Sequence, residues 1–232
     1  MLFKQFFHKE SSTYTYLIAC TKTNIAVLID PVNTDVDDYV ALLKEQDLTL
    51  KYALDTHVHA DHVTATGLLK EELGCQTGVS ALCGANNPDI HILDGDVFEL
   101  SEYESIKTIS TPGHTAGSVC FLWRGRLFTG DTLLISGCGR TDFQGGDSAT
   151  QYDSITQLLF TLSDDTLVYP GHDYNGKFVS NIAQERLGNP RLANKSKDEF
   201  VEIMDNLNLP YPKLIDIAVP ANRDCGLVVQ SA

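Results

Sequence analysis

Apolar residues recur along this chain at two spacings, and the alternation between them lays out the elements. Residues 13–20 and 24–29 are β-prone runs separated by the polar turn Thr21-Lys22-Thr23, which predicts a hairpin ended by Asp30-Pro31. Residues 35–46 place Val36, Tyr39, Val40, Leu42 and Leu43 on one helical stripe. Residues 52–54 read as a short buried strand, and Asp61 onward opens a helix carrying Val63, Leu68, Leu69 and Leu73. Residues 106–110, 119–123 and 126–129 are short strands punctuated by Pro112-Gly113 and Arg124-Gly125. Residues 148–162 form a helix with Ser148 as its cap, and 166–169 a strand. Residues 178–187 and 196–207 are helices, the second with the capping box Ser196-x-x-Glu199. Pro210, Pro212 and Pro220 then break the pattern. Strand pairs with intervening helices predict an α/β chain of two sheets with helices outside, an αββα sandwich. No repeat, low-complexity tract or linker divides it, so residues 1–232 are read as a single domain with a helical C-terminal part.

Composition narrows the partners. A net charge of -14 disfavours nucleic acid and anionic membrane surfaces, because phosphate affinity rests on Lys and Arg. No apolar run reaches the length of a membrane span, and the start Met1-Leu2-Phe3-Lys4 carries no secretory signature, so a cytoplasmic location is expected. The six cysteines are scattered without a CxxC pair and read as packed or free thiols.

Candidate chemistry is concentrated in the histidines. Five of seven sit in three motifs: Thr56-His57-Val58-His59-Ala60-Asp61-His62, Thr111-Pro112-Gly113-His114 and Tyr169-Pro170-Gly171-His172. Asp131, in Thr129-Gly130-Asp131-Thr132, falls between the last two. Imidazole and carboxylate suit zinc and iron. Each motif follows a predicted strand, so the ligands come from loops at one edge of the sheets. On spacing alone, seven ligands around two zincs, bridged by Asp131, is as natural as a single ion. His8 and His91 lie outside the motifs and read as hydrogen-bonded core or surface residues.

Thr-His-x-His-x-Asp-His followed by a His, a Gly-Asp and a Gly-His resembles the metallo-β-lactamase superfamily. Within it, Gly137-Cys138-Gly139-Arg140-Thr141-Asp142-Phe143-Gln144, His172-Asp173-Tyr174-Asn175-Gly176, Asn189-Pro190-Arg191-Leu192 and the tail through Ala221-Asn222 to Cys225-Gly226 look like the persulfide dioxygenases. The resemblance implies oxidation of glutathione persulfide by O2 to sulfite and glutathione, in persulfide detoxification. It implies one Fe(II) per chain on His57, His114 and Asp131, a two-His, one-carboxylate set that leaves positions open for substrate and O2. His59, Asp61, His62 and His172 then orient those ligands. Arg140, Arg191 and Tyr174 are the residues it suggests for glutathione, since guanidinium pairs with carboxylates. Relatives are often homodimers. Some carry a fused rhodanese domain, for which 232 residues leave no room, so a sulfurtransferase partner is expected to be separate. Two other readings are weighed: a glyoxalase II-type thioesterase with two metals, and a non-catalytic metal- or thiol-binding module. The segment after Asp131 and the Asn-Pro-Arg motif favour the dioxygenase over the first, and the intact ligand set disfavours the second.

Overall fold

Strand β2 (Thr13–Cys20) requires a layer on each side of its sheet. All its residues are buried. Tyr14, Tyr16 and Ile18 enter one apolar cluster, while Leu17 and Ala19 enter another. A strand alternating between two dry faces must be covered twice. In the computed structural model of the protein, which describes residues 1–227, one cover is a second sheet and the other a layer of helices. The first sheet runs in order through β1 (Leu2–His8), β2, β3 (Ile25–Ile29), β4 (Thr49–Leu54), β5 (Gln76–Ser80) and β6 (Ile90–Ile92). The second is ordered β12 (Ser180–Asn181), β11 (Leu167–Pro170), β10 (Arg126–Gly130), β9 (Val119–Trp123), β8 (Glu104–Ser110) and β7 (Val97–Ser101).

Tyr16, Val27 and Leu54 of the first sheet meet Phe98, Phe121 and Phe128 of the second in the central core. Helices α1 (Val36–Glu45) and α2 (Thr66–Leu73) cover the outer face of the first sheet with Tyr39, Val40, Leu43 and Leu69. Helices α3 (Ser148–Asp153), α4 (Ile182–Gly188) and α5 (Lys197–Asp205) cover the second, with Ile182, Phe200 and Met204 against Leu127 and Val168. The αββα sandwich read from the sequence is the fold observed.

Strand direction places the site. β3 and β4 are parallel. β8 and β10 both run antiparallel to β9, and β11 runs parallel to β10. The C-terminal ends of β8, β10 and β11 therefore share one edge, and β4 ends beside them, its extension tied across by Val119 N–H donating to Thr56 O (2.9 Å). Loops after strand C-termini are where such sheets bind ligands.

Four details depart from the sequence expectation. Helix α2 opens at Thr66, not Asp61. In a helix begun at Asp61 the His62 carbonyl would accept from Thr66 N–H. Instead it accepts from Asn222 Nδ2, and Thr66 N–H turns to Thr64 Oγ1. Ser148 does not cap α3; the Asp147 carboxylate does, accepting from Thr150 N–H (2.7 Å), and the helix passes into a wider π turn at Ser154–Leu158. Residues 180–181 pair as β12 with β11, so the helix expected from 178 begins at Ile182. Pro220 lies inside helix α6 (Ile215–Arg223) rather than ending it; it sits on the exposed face, where water can satisfy the carbonyl it leaves unbonded. Strands β1, β5, β6 and β7 lie outside the elements expected from the sequence. The Ser196–Glu199 capping box forms as expected.

Candidate metal centre

The histidine motifs all meet at this edge. His57 follows β4, His114 follows β8, Asp131 follows β10 and His172 follows β11. Close backbone approach makes the meeting possible. A Cβ at Gly130, whose φ is +48°, would stand 2.4 Å from Thr56 Oγ1, and one at Gly139 would stand 2.5 Å from Asp131 O and 2.7 Å from His114 Nδ1.

Each of three side chains is left with one donor atom free. The Thr56 hydroxyl donates to Asp30 Oδ2 (2.9 Å), so its oxygen accepts from His57 Nδ1–H (2.9 Å) and the Nε2 lone pair of His57 stays open. His114 donates Nδ1–H to Arg140 O (2.6 Å), which likewise frees Nε2. Asp131 Oδ1 accepts from His172 Nδ1–H (2.6 Å), while its Oδ2 lies 3.7 Å from His114 Nε2. Single donor atoms of His57, His114 and Asp131 all fall within 4.8 Å of one another. Burial, helped by the charges of His59 and His114, holds the His57 imidazole well below its usual pKa, in the neutral form a ligand needs. Burial would raise the Asp131 carboxyl, but the charge and hydrogen bond of His172, then His114 and His57, hold it well below the usual carboxylate range. Two imidazoles, each with one nitrogen free, and an ionised carboxylate fit a divalent transition-metal ion.

The remaining motif residues are bonded to one another. Asp61 Oδ2 accepts from His172 Nε2–H (2.9 Å), His62 Nδ1–H (2.9 Å) and the Thr13 hydroxyl (3.1 Å). His172 thus donates to a carboxylate from each nitrogen. Burial opposes its charge, yet Asp131 and Asp61 carry its pKa well above the ordinary value. His59 Nε2–H donates to Asp30 Oδ1 (3.1 Å), and Asp30 also accepts from Thr56 N–H (2.7 Å). His59, Asp61 and His62 form a second cluster of ligand type, in which His59 Nδ1 and His62 Nε2 are buried without a partner among the described residues. His57, Asp61, His62, His114, Asp131 and His172 line one cavity of about 970 Å³; His59 stands behind it.

The three substrate candidates differ in what is left to offer. Arg140 is committed: Nε and Nη2 grip both oxygens of Asp142 (2.6 Å each), and Nη1 donates to Pro210 O (2.7 Å). Its guanidinium pins the 209–214 segment that walls the cavity. Arg191 donates one nitrogen to Cys138 O (2.6 Å) and lines the cavity. Tyr174 is 72% exposed at the mouth and stacks parallel to His172. Sequence reasoning missed Asp30, Thr13 and the role of Asn222, which holds the histidine loop from α6. None of the three carries a local signal, since each acts across the fold.

Comparison with known proteins places the chain among its relatives. The family model described as the metallo-beta-lactamase superfamily matches residues 8–82 and 84–172. The chain is 49% identical to the mouse (Mus musculus) protein named persulfide dioxygenase ETHE1, mitochondrial, over 98% of this chain and 89% of that protein. The crystal structure of ETHE1 from Myxococcus xanthus superposes with a TM-score of 0.95 at 52% identity, covering 98% of this chain and all of that one. A hydroxyacylglutathione hydrolase of Pelagibacter ubique is 34% identical over 94% of this chain and 88% of its own length.

Proposed function

This chain belongs to the metallo-β-lactamase superfamily and, within it, to the persulfide dioxygenases; from that premise we propose that it oxidises glutathione persulfide to sulfite and glutathione at a single Fe(II) held by His57, His114 and Asp131. Persulfide oxidation is the family's activity, and the enzyme class follows from it. The metal, its count and the thiol carrier are our reading.

One observation carries the single-ion reading. His57, His114 and Asp131 each keep one ligand atom free beside the cavity, whereas both nitrogens of His172 are taken up by Asp131 and Asp61, and Asp61 Oδ2 accepts from His172 and His62. A two-His, one-carboxylate set is the donor arrangement of non-haem Fe(II) oxygenases, and bound iron supplies the redox chemistry that O2 requires. The protein's share is geometric. Thr56 and Arg140 O fix the ring orientations of the two histidines, and His172 holds Asp131 by one oxygen so that the other is presented. The apolar wall formed by Leu209, Pro210, Leu214 and Ile217 excludes water from the persulfide. Arg191 and Tyr174 take the glutathione carboxylates and backbone, and Arg140 acts through the wall it pins.

The same reading takes residues 1–232 as one domain, in a homodimer that works with a sulfurtransferase. Among the described residues no helix is long and apolar enough to cross a membrane. The mouse relative is named mitochondrial; for this chain we keep the cytoplasm.

The test is metal analysis coupled to oxygen uptake. About one iron per chain, and O2 consumption with glutathione persulfide, is the expected result. Two zincs per chain, with thioester hydrolysis and no O2 uptake, would overturn it.

A further inference from the structure

Along one wall of the cavity runs a line of side chains that metal binding does not use. It starts at Asp61 Oδ2. The Thr13 hydroxyl, wholly buried, is 3.1 Å away. Thr13 Oγ1 lies 2.6 Å from Ser11 Oγ, and Ser11 Oγ lies 2.7 Å from His8 Nδ1. His8 Nε2 is 3.2 Å from Thr34 Oγ1 at the exposed rim. The line is a built feature of the β1–β2 turn. Ser12 bends it with a φ of +59°, and the turn docks on the His172 loop through Tyr14 N–H to Gly171 O (2.8 Å) and Asp173 N–H to Ser12 O (3.3 Å).

The chemistry supplies a need for such a line. Persulfide oxidation balances as RSSH + O2 + H2O → RSH + SO3²⁻ + 2 H⁺. The outer sulfur gives four electrons to O2, the S–S bond breaks, the thiol keeps one hydrogen, and two protons must leave. A persulfide bound over the metal ligands stands between the cavity floor and the rim. The wall still connects floor to rim.

We propose that His8 is the outer station of a proton relay, Asp61–Thr13–Ser11–His8, that carries protons from the cavity floor to solvent during turnover. Its polarity is set from the outside. Thr34 donates its hydroxyl to Asp35 Oδ1 (3.1 Å), so Thr34 Oγ1 accepts from His8 Nε2–H and His8 Nδ1 is left as the acceptor. Ser11 Oγ–H then donates to Nδ1. At rest the Thr13 hydroxyl donates to Asp61 Oδ2; when a proton reaches Asp61 that hydroxyl turns to Ser11 Oγ, and Thr13 oxygen accepts the proton from Asp61. Each hop is one hydrogen bond, and a proton gained at Nδ1 is balanced by one lost from Nε2 at the rim. The relay rests on the persulfide-dioxygenase reading, because that reaction releases the protons.

The test uses the iron-loaded full chain with glutathione persulfide in dilute buffer, where proton export limits turnover. In His8→Ala, kcat should fall on the order of tenfold, with KM and iron content unchanged, and added imidazole should restore it. Ser11→Ala should lose kcat similarly, yet imidazole should not restore it, because the break lies inside the wall. The solvent isotope effect on kcat should rise in both. A normal kcat in both variants overturns the relay. So does a raised KM with kcat intact in His8→Ala, which would make His8 a substrate contact, and so does a kcat loss that imidazole leaves untouched there. A wild-type enzyme that consumes no O2 would instead refute the reaction on which the relay rests.

Discussion

Replacing Asn222 with alanine should damage the metal loop from the opposite side of the fold. Asn222 is buried in α6, and its amide makes three bonds to the histidine loop. Nδ2 donates to His59 O and His62 O (2.9 Å each), and Oδ1 accepts from Thr64 N–H (2.8 Å). Alanine removes all three partners and leaves two carbonyls and an N–H buried. An orphaned buried group costs about 1–3 kcal/mol. Water entering the space left by the amide satisfies part of the set, so a net loss of about 3–5 kcal/mol is expected rather than the full sum. For a chain of this size that is a fall in Tm of roughly 6–20 °C. Urea unfolding should show a lower midpoint with an unchanged slope.

The loop's geometry should suffer along with its stability. Freed of the amide, the 59–64 backbone can move toward the helical path it is now denied, which turns the rings of His59 and His62. Iron affinity should therefore fall, and the Tm rise on adding Fe(II) should shrink. Asn222→Asp is the control. It keeps the acceptor for Thr64 N–H but faces the two carbonyls with oxygen, so it should be no better than alanine. A change under about 0.5 kcal/mol in Asn222→Ala, the range of an ordinary surface substitution, would refute the reasoning.

Gly139→Ala forces a Cβ against Asp131 O and His114 Nδ1; overpacking of about 1–3 kcal/mol and a loss of bound iron are expected, and full iron occupancy would contradict the packing. Arg191→Ala should raise KM for glutathione persulfide on the order of tenfold, the worth of one charged hydrogen bond, with iron retained; an effect on kcat alone would remove Arg191 from the substrate. In the metal-free protein the buried Asp55–His59 pair should contribute less stability as pH rises. Burial pushes the Asp55 carboxyl up to about 7 against the pull of His59. Burial alone would lower His59, but Asp30 and then Asp55 carry it up to about 9. Both groups bind protons more tightly folded than unfolded, so their contribution is present below the unfolded values of about 3.9 and 6.5 and is lost through about 7 and 9. Chemical denaturation across that window should show the decline, and Asp30→Asn should flatten its upper part.

The strands that carry the site were legible because each combines an apolar run with a histidine- or glycine-marked stop, as at Ile106 to Ser110 before Pro112-Gly113-His114. β1 and β5 were not. Phe3, Phe6 and Phe7 of β1 follow no clean alternation, and Gln76-Thr77-Gly78 of β5 is polar until packed between neighbours. The ligand motifs announced themselves through composition, but their bonding did not. Asp30 reaches Thr56 and His59 from 26 and 29 residues away, and Asn222 reaches His59 from 163. Such contacts exist only once the sheets are stacked. Helix α2 shows the converse. Its apolar stripe extends back to Val63, and tertiary hydrogen bonds to the loop override it.

Those same long-range bonds bear on how many ions the ligand set would hold. The spacing of the motifs suits two metals bridged by Asp131. In the folded protein Asp131 Oδ1 is engaged by His172, whose other nitrogen is engaged by Asp61. A second ion held by Asp61, His62 and His172 would have to displace the proton that His172 holds between two carboxylates and break the bonds converging on Asp61 Oδ2. Metal binding at such a site is a competition with protons, and the strongly raised His172 pKa sets that competition against the second ion at neutral pH. At His57 and His114, Thr56 and Arg140 O already hold each ring so that one nitrogen faces the site. On this argument the hydrogen bonds behind the histidines, rather than their number, favour a single ion.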